Sequence, residues 1–330
     1  MSVSRHALDV LEFGKVLEGV AGRALSDLGR ERVMAFTPGL RLGLVQTELQ
    51  RVEETATFLH RRSNWSAPEI PDARKGLARL GMDGSVLEAQ ELFSLGLLLG
   101  SGRTLSEALA EAAAELRSLG YIRDGLYKDQ GVERVINKTV DKDGAVLDSA
   151  SPELGRIRAR LRRLHGRVVR ALEKLLTTLP ERIRVPDASV TIREGRYVIP
   201  VRREGRGEVG GGVLDESATG ATLFVEPPVA LELTAELREL QREEGREILR
   251  VLRERTDQMR PRLPFLEASQ EALVLFDCLY ARALTALSWS GAAPTILPPG
   301  TQELEIVEGR HPLLLEKGSE AVVPFDLRLD

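Results

Sequence analysis

Apolar positions recur along most of this chain at helical spacing. Leu8, Leu11, Val16, Leu17 and Val20 line one helical face within residues 5–60, and Leu44, Val45, Leu49, Val52 and Leu59 line another. Thr37-Pro38-Gly39 breaks them. A polar segment from Ser63 to Asp72, holding two prolines, leads to further helices expected at about 73–80, 88–100 and 104–119. Together these read as a scaffold bundle. Periodicity weakens between Tyr121 and Asp148, where Asp143-Gly144 between Val140 and Val146-Leu147 predicts a tight turn joining short extended pieces, a junction.

The clearest pattern comes next. Ser151 can cap a helix, Pro152 occupy its first position, and Glu153 meet the positive end of the helix dipole. From there Leu154, Ile157, Leu161, Leu164, Val168, Ala171/Leu172, Leu175 and Leu179 step by threes and fours, as a coiled-coil seam requires. At about 1.5 Å per residue this helix extends roughly 40 Å. Pro180 and Pro186 mark its end. A second long helix is expected over about Val229–Met259, through Leu233, Leu237, Leu240, Ile248 and Val251/Leu252, with a polar interruption near Glu244. Between the two, Ala188–Arg193 and Arg196–Arg203 flank Glu194-Gly195, and Val213–Ser217 and Ala221–Glu226 flank Thr219-Gly220. Each set is a strand–turn–strand pattern, so a small four-stranded β module is predicted at the tip of two antiparallel helices. Beyond Trp289, Ala293-Pro294 and Pro298-Pro299-Gly300 form a linker, and Leu304-Glu305-Ile306-Val307 reads as the first strand of another domain.

The expected fold class is therefore mainly α. A helical core and lever domain spans 1–148, an ascending arm helix 149–186, a β clamp tip 187–228, a returning arm helix with core helices 229–290, and a linker with the start of a truncated domain 291–330. Composition agrees: 330 residues exceed the roughly 250–300 that one core supports. An aromatic content of 4% beside 42% hydrophobic residues suits helices better than a β-sandwich. The opening MSVSRHALDVLEF lacks the basic start and unbroken apolar core of a signal peptide, and no apolar run is long enough to span a membrane, so a soluble cytoplasmic protein without a membrane partner is expected. The single cysteine, Cys278, excludes an intramolecular disulfide and sits in an apolar helical run as a buried residue rather than a nucleophile.

Charge changes the picture more. The chain carries −4 overall, yet Glu153 to Arg206 holds fifteen Lys/Arg against six Asp/Glu, a local net of +9. Arg156, Arg160, Arg163, Arg167, Arg170 and Lys174 form one stripe on the first arm helix. Glu232, Glu236, Glu239, Glu243 and Glu247 form a matching acidic stripe on the second, so pairing within the arm is expected before contact with phosphate. At the tip, Arg193, Arg196, Arg202, Arg203 and Arg206 have only Glu194 and Glu204 among them, and neighbouring glycines allow close approach of backbone N–H groups. These five are the candidate nucleic-acid-binding residues. From Asp187 to Glu226 there are nevertheless five basic and seven acidic residues, so any basic surface is local to one hairpin.

Other chemistry is sparse. Gly205-Arg206-Gly207-Glu208-Val209-Gly210 satisfies GxGxxG after a strand, but a dinucleotide site needs a helix immediately afterwards, and Gly211 to Asp215 reads as loop and strand. A flexible hairpin loop is expected there instead. Asp215, Glu216 and Glu226 would serve a metal-dependent nuclease only if their carboxylates converged. His6, His60, His165 and His311 lack zinc-binding spacing, with His165 a partly exposed structural residue of the arm. Neither G-x-x-x-x-G-K-[ST] nor G-x-S-x-G occurs. No catalytic residue and no metal site is assigned.

Four ordered segments carry a resemblance. They are Val146-Leu147-Asp148-Ser149-Ala150-Ser151-Pro152-Glu153-Leu154, Val190-Thr191-Ile192-Arg193-Glu194-Gly195-Arg196-Tyr197-Val198-Ile199-Pro200-Val201, Asp215-Glu216-Ser217-Ala218-Thr219-Gly220-Ala221-Thr222-Leu223-Phe224-Val225-Glu226-Pro227, and Gly309-Arg310-His311-Pro312-Leu313-Leu314. In these the chain resembles the MutS-II family, the bacterial MutS paralogue described as an endonuclease and recombination suppressor. The resemblance runs from Leu11-Glu12-Phe13 to the Pro324 region. It implies a core-and-lever domain, long helices ending in a β clamp, and the first strand of an ATPase domain whose phosphate-binding loop would follow, so the chain resembles a fragment of a longer protein. Where the family often has Val-Pro-Asn-Asp, this chain has Val323-Pro324-Phe325-Asp326.

The resemblance further implies a homodimeric full-length ATPase using ATP and Mg²⁺, with a nuclease module absent here. Branched or junction DNA is the implied partner, together with ribosomal RNA during rescue of collided ribosomes. The expected function is the nucleic-acid-binding clamp and lever of such an ATPase. A protein-binding coiled-coil adaptor, and a fragment with its own metal-dependent nuclease site, are the alternatives.

Overall fold

The computed structural model describes residues 3–39, 41–62, 64–298, 300–316 and 322–329. Ser63 and Pro299 lie outside these described residues, as does the terminal Asp330. The chain is mainly α and divides into two compact units. One comprises Met1–Asn137, Lys142–Gly144 and Arg255–Asp330, and the other Lys138–Asp141 and Ala145–Glu254.

The first unit is a helical scaffold. Its helices are α1 (Arg5–Val10), α2 (Phe13–Ala21), α3 (Asp27–Met34), α4 (Leu42–Arg61), α5 (Arg74–Leu80), α6 (Ala89–Glu111) and α7 (Gly120–Gly125), with α8 (Gln130–Thr139) at its margin. α6 corrects two expectations at once. It is a single helix through Gly100-Ser101-Gly102, where a break near residue 104 was predicted, and it ends at Glu111 rather than 119. Its glycines answer to packing: a Cβ on Gly96 would lie 2.7 Å from Ile136 Cγ2, and one on Gly102 would lie 2.9 Å from Ser269 Oγ. The weakly periodic stretch after Tyr121 holds α7 and α8, and after them Val140 and Val146, which flank the turn expected at Asp143-Gly144, pair as an isolated antiparallel bridge, with Gly144 at φ 76°.

α12 (Leu263–Ser288) is the central helix of this unit. Leu266, Leu273, Phe276 and Leu279 on it are at most 2% exposed, because the helix is covered by α3, α4, α6 and α7. Phe58, Trp65 and Phe276 meet edge-on with centroids 5.1 and 6.0 Å apart, the favoured geometry for aromatic quadrupoles. Cys278 is buried here as expected, and burial pushes its thiol up to about 11, which leaves it protonated and unreactive. Beyond it, the strand expected at Leu304 is present as Leu304–Gly309 and pairs antiparallel with Phe325–Leu329, with a short helix at Pro312–Glu316 between them.

The second unit holds the arm and tip. α9 (Pro152–Thr178) leads into a four-stranded sheet of β1 (Thr191–Arg193), β2 (Arg196–Arg202), β3 (Gly212–Glu216) and β4 (Thr222–Glu226), with the single turn α10 (Arg206–Val209) between β2 and β3. The sheet order is β1-β2-β4-β3, all neighbours antiparallel. α11 (Pro228–Met259) follows β4, and α12 (Leu263–Ser288) continues it after one 3-10 turn at Arg260–Arg262. Pro261 and Pro264, which cannot donate backbone hydrogen bonds, mark that turn.

One apolar core unites this unit. Ile157, Leu161, Leu164, Val168, Leu172, Leu176 and Leu179 pack with Tyr197, Ile199, Val201, Leu223 and Val225 of the sheet and with Ala230, Leu237 and Leu240 of α11. The late seam of α9 thus runs by fours through Leu176, while the predicted Leu175 is only partly buried. Both hairpins form where predicted. Glu194 and Gly195 have φ of 47° and 71°, the two positive values that a tight two-residue hairpin turn demands.

Candidate nucleic-acid interface

The start of α9 is built as read from the sequence. Ser151 Oγ accepts the backbone N–H of Leu154 (3.0 Å), and Pro152 takes the first turn. The same hydroxyl donates to Glu247 Oε1 at 2.6 Å, so one capping residue also ties α9 to α11. Glu247 is 8% exposed, and the guanidinium of Arg250 beside it, aided by Ser151, holds its carboxyl below the usual glutamate range. The polar interruption expected near Glu244 is an interhelical bond: Arg158 Nε reaches Glu244 Oε1 at 2.6 Å while its Nη1 binds Asp148 at 2.8 Å. Arg158 lies off the predicted basic stripe and was not singled out. The signal available was its position about two turns from the cap, opposite the break in the apolar seam.

The stripes pair only in part. Arg160 and Arg167 face Glu243 and Glu236 at 3.7 and 3.9 Å, distances of loose surface pairs. Arg156 pairs instead with Glu153 on its own helix, and Glu239 with Arg242 and Arg246 on its own. Arg163, Arg170 and Lys174 are exposed and have no carboxylate partner among the described residues.

At the tip the five arginines separate into three kinds. Arg193 (Nε to Asp215, 3.3 Å) and Arg203 (Nη2 to Glu216, 2.7 Å) make exposed ion pairs with the second hairpin. Arg196 binds Glu226 at 3.0 Å, and this carboxylate is 3% exposed with its other oxygen unpartnered, so Arg196 neutralises a buried charge. Arg202 and Arg206 are exposed with no acidic partner among the described residues; Arg202 Nε donates only to the Arg184 carbonyl at 3.2 Å. Arg184 in turn donates to the carbonyls of Thr177 and Leu179, closing the C-terminus of α9. The expectation that Glu194 and Glu204 were the only relevant acids is corrected: the partners come from β3 and β4, brought alongside by sheet pairing. Local sequence could not show this.

Asp215, Glu216 and Glu226 consequently each serve a different arginine, and among the described residues no group of three or more His, Cys, Asp or Glu could hold a metal ion. The GxGxxG stretch is also corrected. It is a 3-10 turn and the short α10 rather than a flexible loop, followed directly by β3. A Cβ on Gly205 would lie 2.5 Å from Ile183 Cβ, and one on Gly211, at φ +86°, 2.0 Å from the Glu226 carbonyl oxygen. Two glycines here therefore serve packing and not phosphate binding. His165 stands 2.5 Å from the Tyr197 hydroxyl, joining α9 to β2.

The second unit is thus an antiparallel helix pair carrying a four-stranded sheet, with exposed cations that have no acidic partner among the described residues. No family model matches the chain. Among known proteins it is 41% identical over 330 residues to Endonuclease MutS2 of Gemmatimonas aurantiaca, covering 99% of this chain and 40% of that protein. It is 35% and 36% identical to proteins of the same name from Geobacillus thermodenitrificans and Pelotomaculum thermopropionicum, each over 99% of this chain and 41% of the relative. The chain is thus a homologue of the MutS2 proteins, and it spans about two fifths of the length of the curated relatives it matches. No helix among the described residues is long and apolar enough to cross a membrane.

Proposed function

We propose that the arm and its sheet are the nucleic-acid clamp and lever of a MutS-like ATPase that binds branched DNA, suppresses recombination and acts on collided ribosomes. The carrying observation is the set of exposed cations without acidic partners among the described residues: Arg202 and Arg206 on the tip, and Arg163, Arg170 and Lys174 on α9. Such cations contact phosphate rather than base edges, so shape outweighs sequence in selectivity. The word endonuclease in the relatives' name supports nucleic acid as the target. In this reading the full protein is a homodimer using ATP and Mg²⁺. This chain has no phosphate-binding-loop signature, and in this reading the nucleotide and its metal are held outside it.

The test is binding to a four-way junction and to ribosomes between 50 and 200 mM salt, ranges over which backbone contacts lose about 10³–10⁵ in affinity. Arg202→Ala with Arg206→Ala should weaken binding alike for all sequences and reduce the salt slope by up to about 0.9 per lost phosphate contact on duplex DNA. An unchanged slope overturns the proposal. Binding to neither nucleic acid nor ribosome leaves the protein-binding adaptor.

A further inference from the structure

The tip sheet has two unlike faces. Tyr197, Ile199, Val201, Leu223 and Val225 enter the core with α9, so the alternate residues of β2 and β4 point the other way. On that second face the guanidinium of Arg193 lies over the ring of Phe224, its central carbon 4.7 Å from the ring centroid. Asp215, directly opposite Phe224 in the β3–β4 register, anchors Arg193 through Nε at 3.3 Å. Arg193 comes from the opposite edge of the sheet, so its side chain crosses the face to make both contacts. The side chain remains 45% exposed, and the turn beside it, Glu194-Gly195, is exposed as well.

This arrangement is poorly suited to gripping phosphate, because Asp215 already neutralises the charge. It is well suited to stacking. A guanidinium is planar and weakly hydrated, stacks on aromatic faces, and presents a second flat face to a further ring. Aromatic rings and arginine planes are the means by which proteins take up unpaired bases, and here Phe224 is only partly exposed, so the guanidinium plane of Arg193 is the member open to a base. We propose that Arg193 and Phe224 form a stacking platform for an unpaired nucleobase, whether in DNA or RNA, positioned by Asp215. The inference rests on the clamp reading and adds a preference: a base inside a continuous duplex offers no free face, whereas a gap, flap or loop does. Arg202 and Arg206 then hold backbone, and the platform reads whether the strand is paired.

The experiment uses the 330-residue chain with oligonucleotides carrying 2-aminopurine, single-stranded or in a continuous duplex, in DNA and RNA versions. Arg193→Lys keeps the charge but removes the plane, and Phe224→Leu keeps apolar bulk but removes the ring. Each should lower single-strand affinity about tenfold and abolish the fluorescence change of the base, while duplex affinity stays within about twofold. Unchanged hydrogen exchange over residues 191–226 verifies that the sheet is intact. A loss confined to the DNA or the RNA version names the natural source. If duplex binding persists and neither variant alters the single-strand preference, the platform is overturned and the clamp reading stands. If the unaltered chain binds neither form, both are overturned.

Discussion

Each unit buries one carboxylate on a long helix, and the two are held in opposite ways. Glu247 on α11 receives Nε and Nη2 of Arg250, each at 2.7 Å, and the Ser151 hydroxyl. Asp277 on α12 is fully buried and has no cation in hydrogen-bond reach among the described residues; it accepts the backbone N–H groups of Leu25 (2.7 Å) and Ser26 (3.0 Å) and the Ser26 hydroxyl (2.6 Å). Arg250 draws Glu247 below the glutamate range, whereas burial pushes the Asp277 carboxyl up despite its hydrogen bonds. The arm therefore relies on an ion pair that a partner or pH can alter. The scaffold uses a carboxylate to fix backbone at the start of α3, with Gly29 pressed against it.

The largest expected effect lies in the scaffold. Asp277→Ala strands two part-buried N–H groups and a hydroxyl, and should cost about 3 kcal/mol. Trp65 and Trp289 both belong to that unit, so denaturation followed by tryptophan fluorescence reads it directly. Stability equal to the unaltered chain would break the contrast between the units. Next in size is a contrast inside the tip. Arg196→Ala leaves buried Glu226 unpaired and should cost about 2 kcal/mol, whereas Arg203→Ala, which opens a fully surface pair, should cost under about 1 kcal/mol. Hydrogen exchange of β2 and β4 measures both, and equal losses would contradict the distinction between Arg196, which neutralises a buried charge, and Arg203, which pairs at the surface.

The smallest effect sharpens the comparison through pH. For Glu247 the folded-state value lies below the ordinary 4.5, so its stabilisation is full above that pH and disappears as pH falls through the lowered value. For Asp277 the folded-state value lies above the ordinary 3.8, so its stabilisation is full below 3.8 and is lost as pH rises through the raised value. Glu247→Gln should therefore approach the unaltered chain in stability on acidification, and Asp277→Asn should gain on it as pH rises from 3.8. Parallel pH profiles for the two variants would sink the assignment.

Legibility varied by element for physical reasons. The cap at Ser151, the length of α9 and the tip turns follow from nearest-neighbour rules, and these elements stand where those rules put them. α6 misled because its glycines imitate a breaker while answering to Ile136 and Ser269, more than thirty residues away. The tip arginines formed one candidate set by proximity in sequence, yet β3 and β4 supply acids to Arg193, Arg196 and Arg203 and none to Arg202 or Arg206. Phe224 carried no sequence signal beyond its place in an alternating strand.

Sequence by itself determined the helical class, the pair of long helices, the two hairpins and the family resemblance, because helix caps, periodic apolar positions and left-handed turn residues act over a few residues. Tertiary structure alone decided which charges stay available. Ion pairing depends on the register between strands and helices distant in the chain, and that register removes three tip arginines from the free set and sets one of them over an aromatic ring.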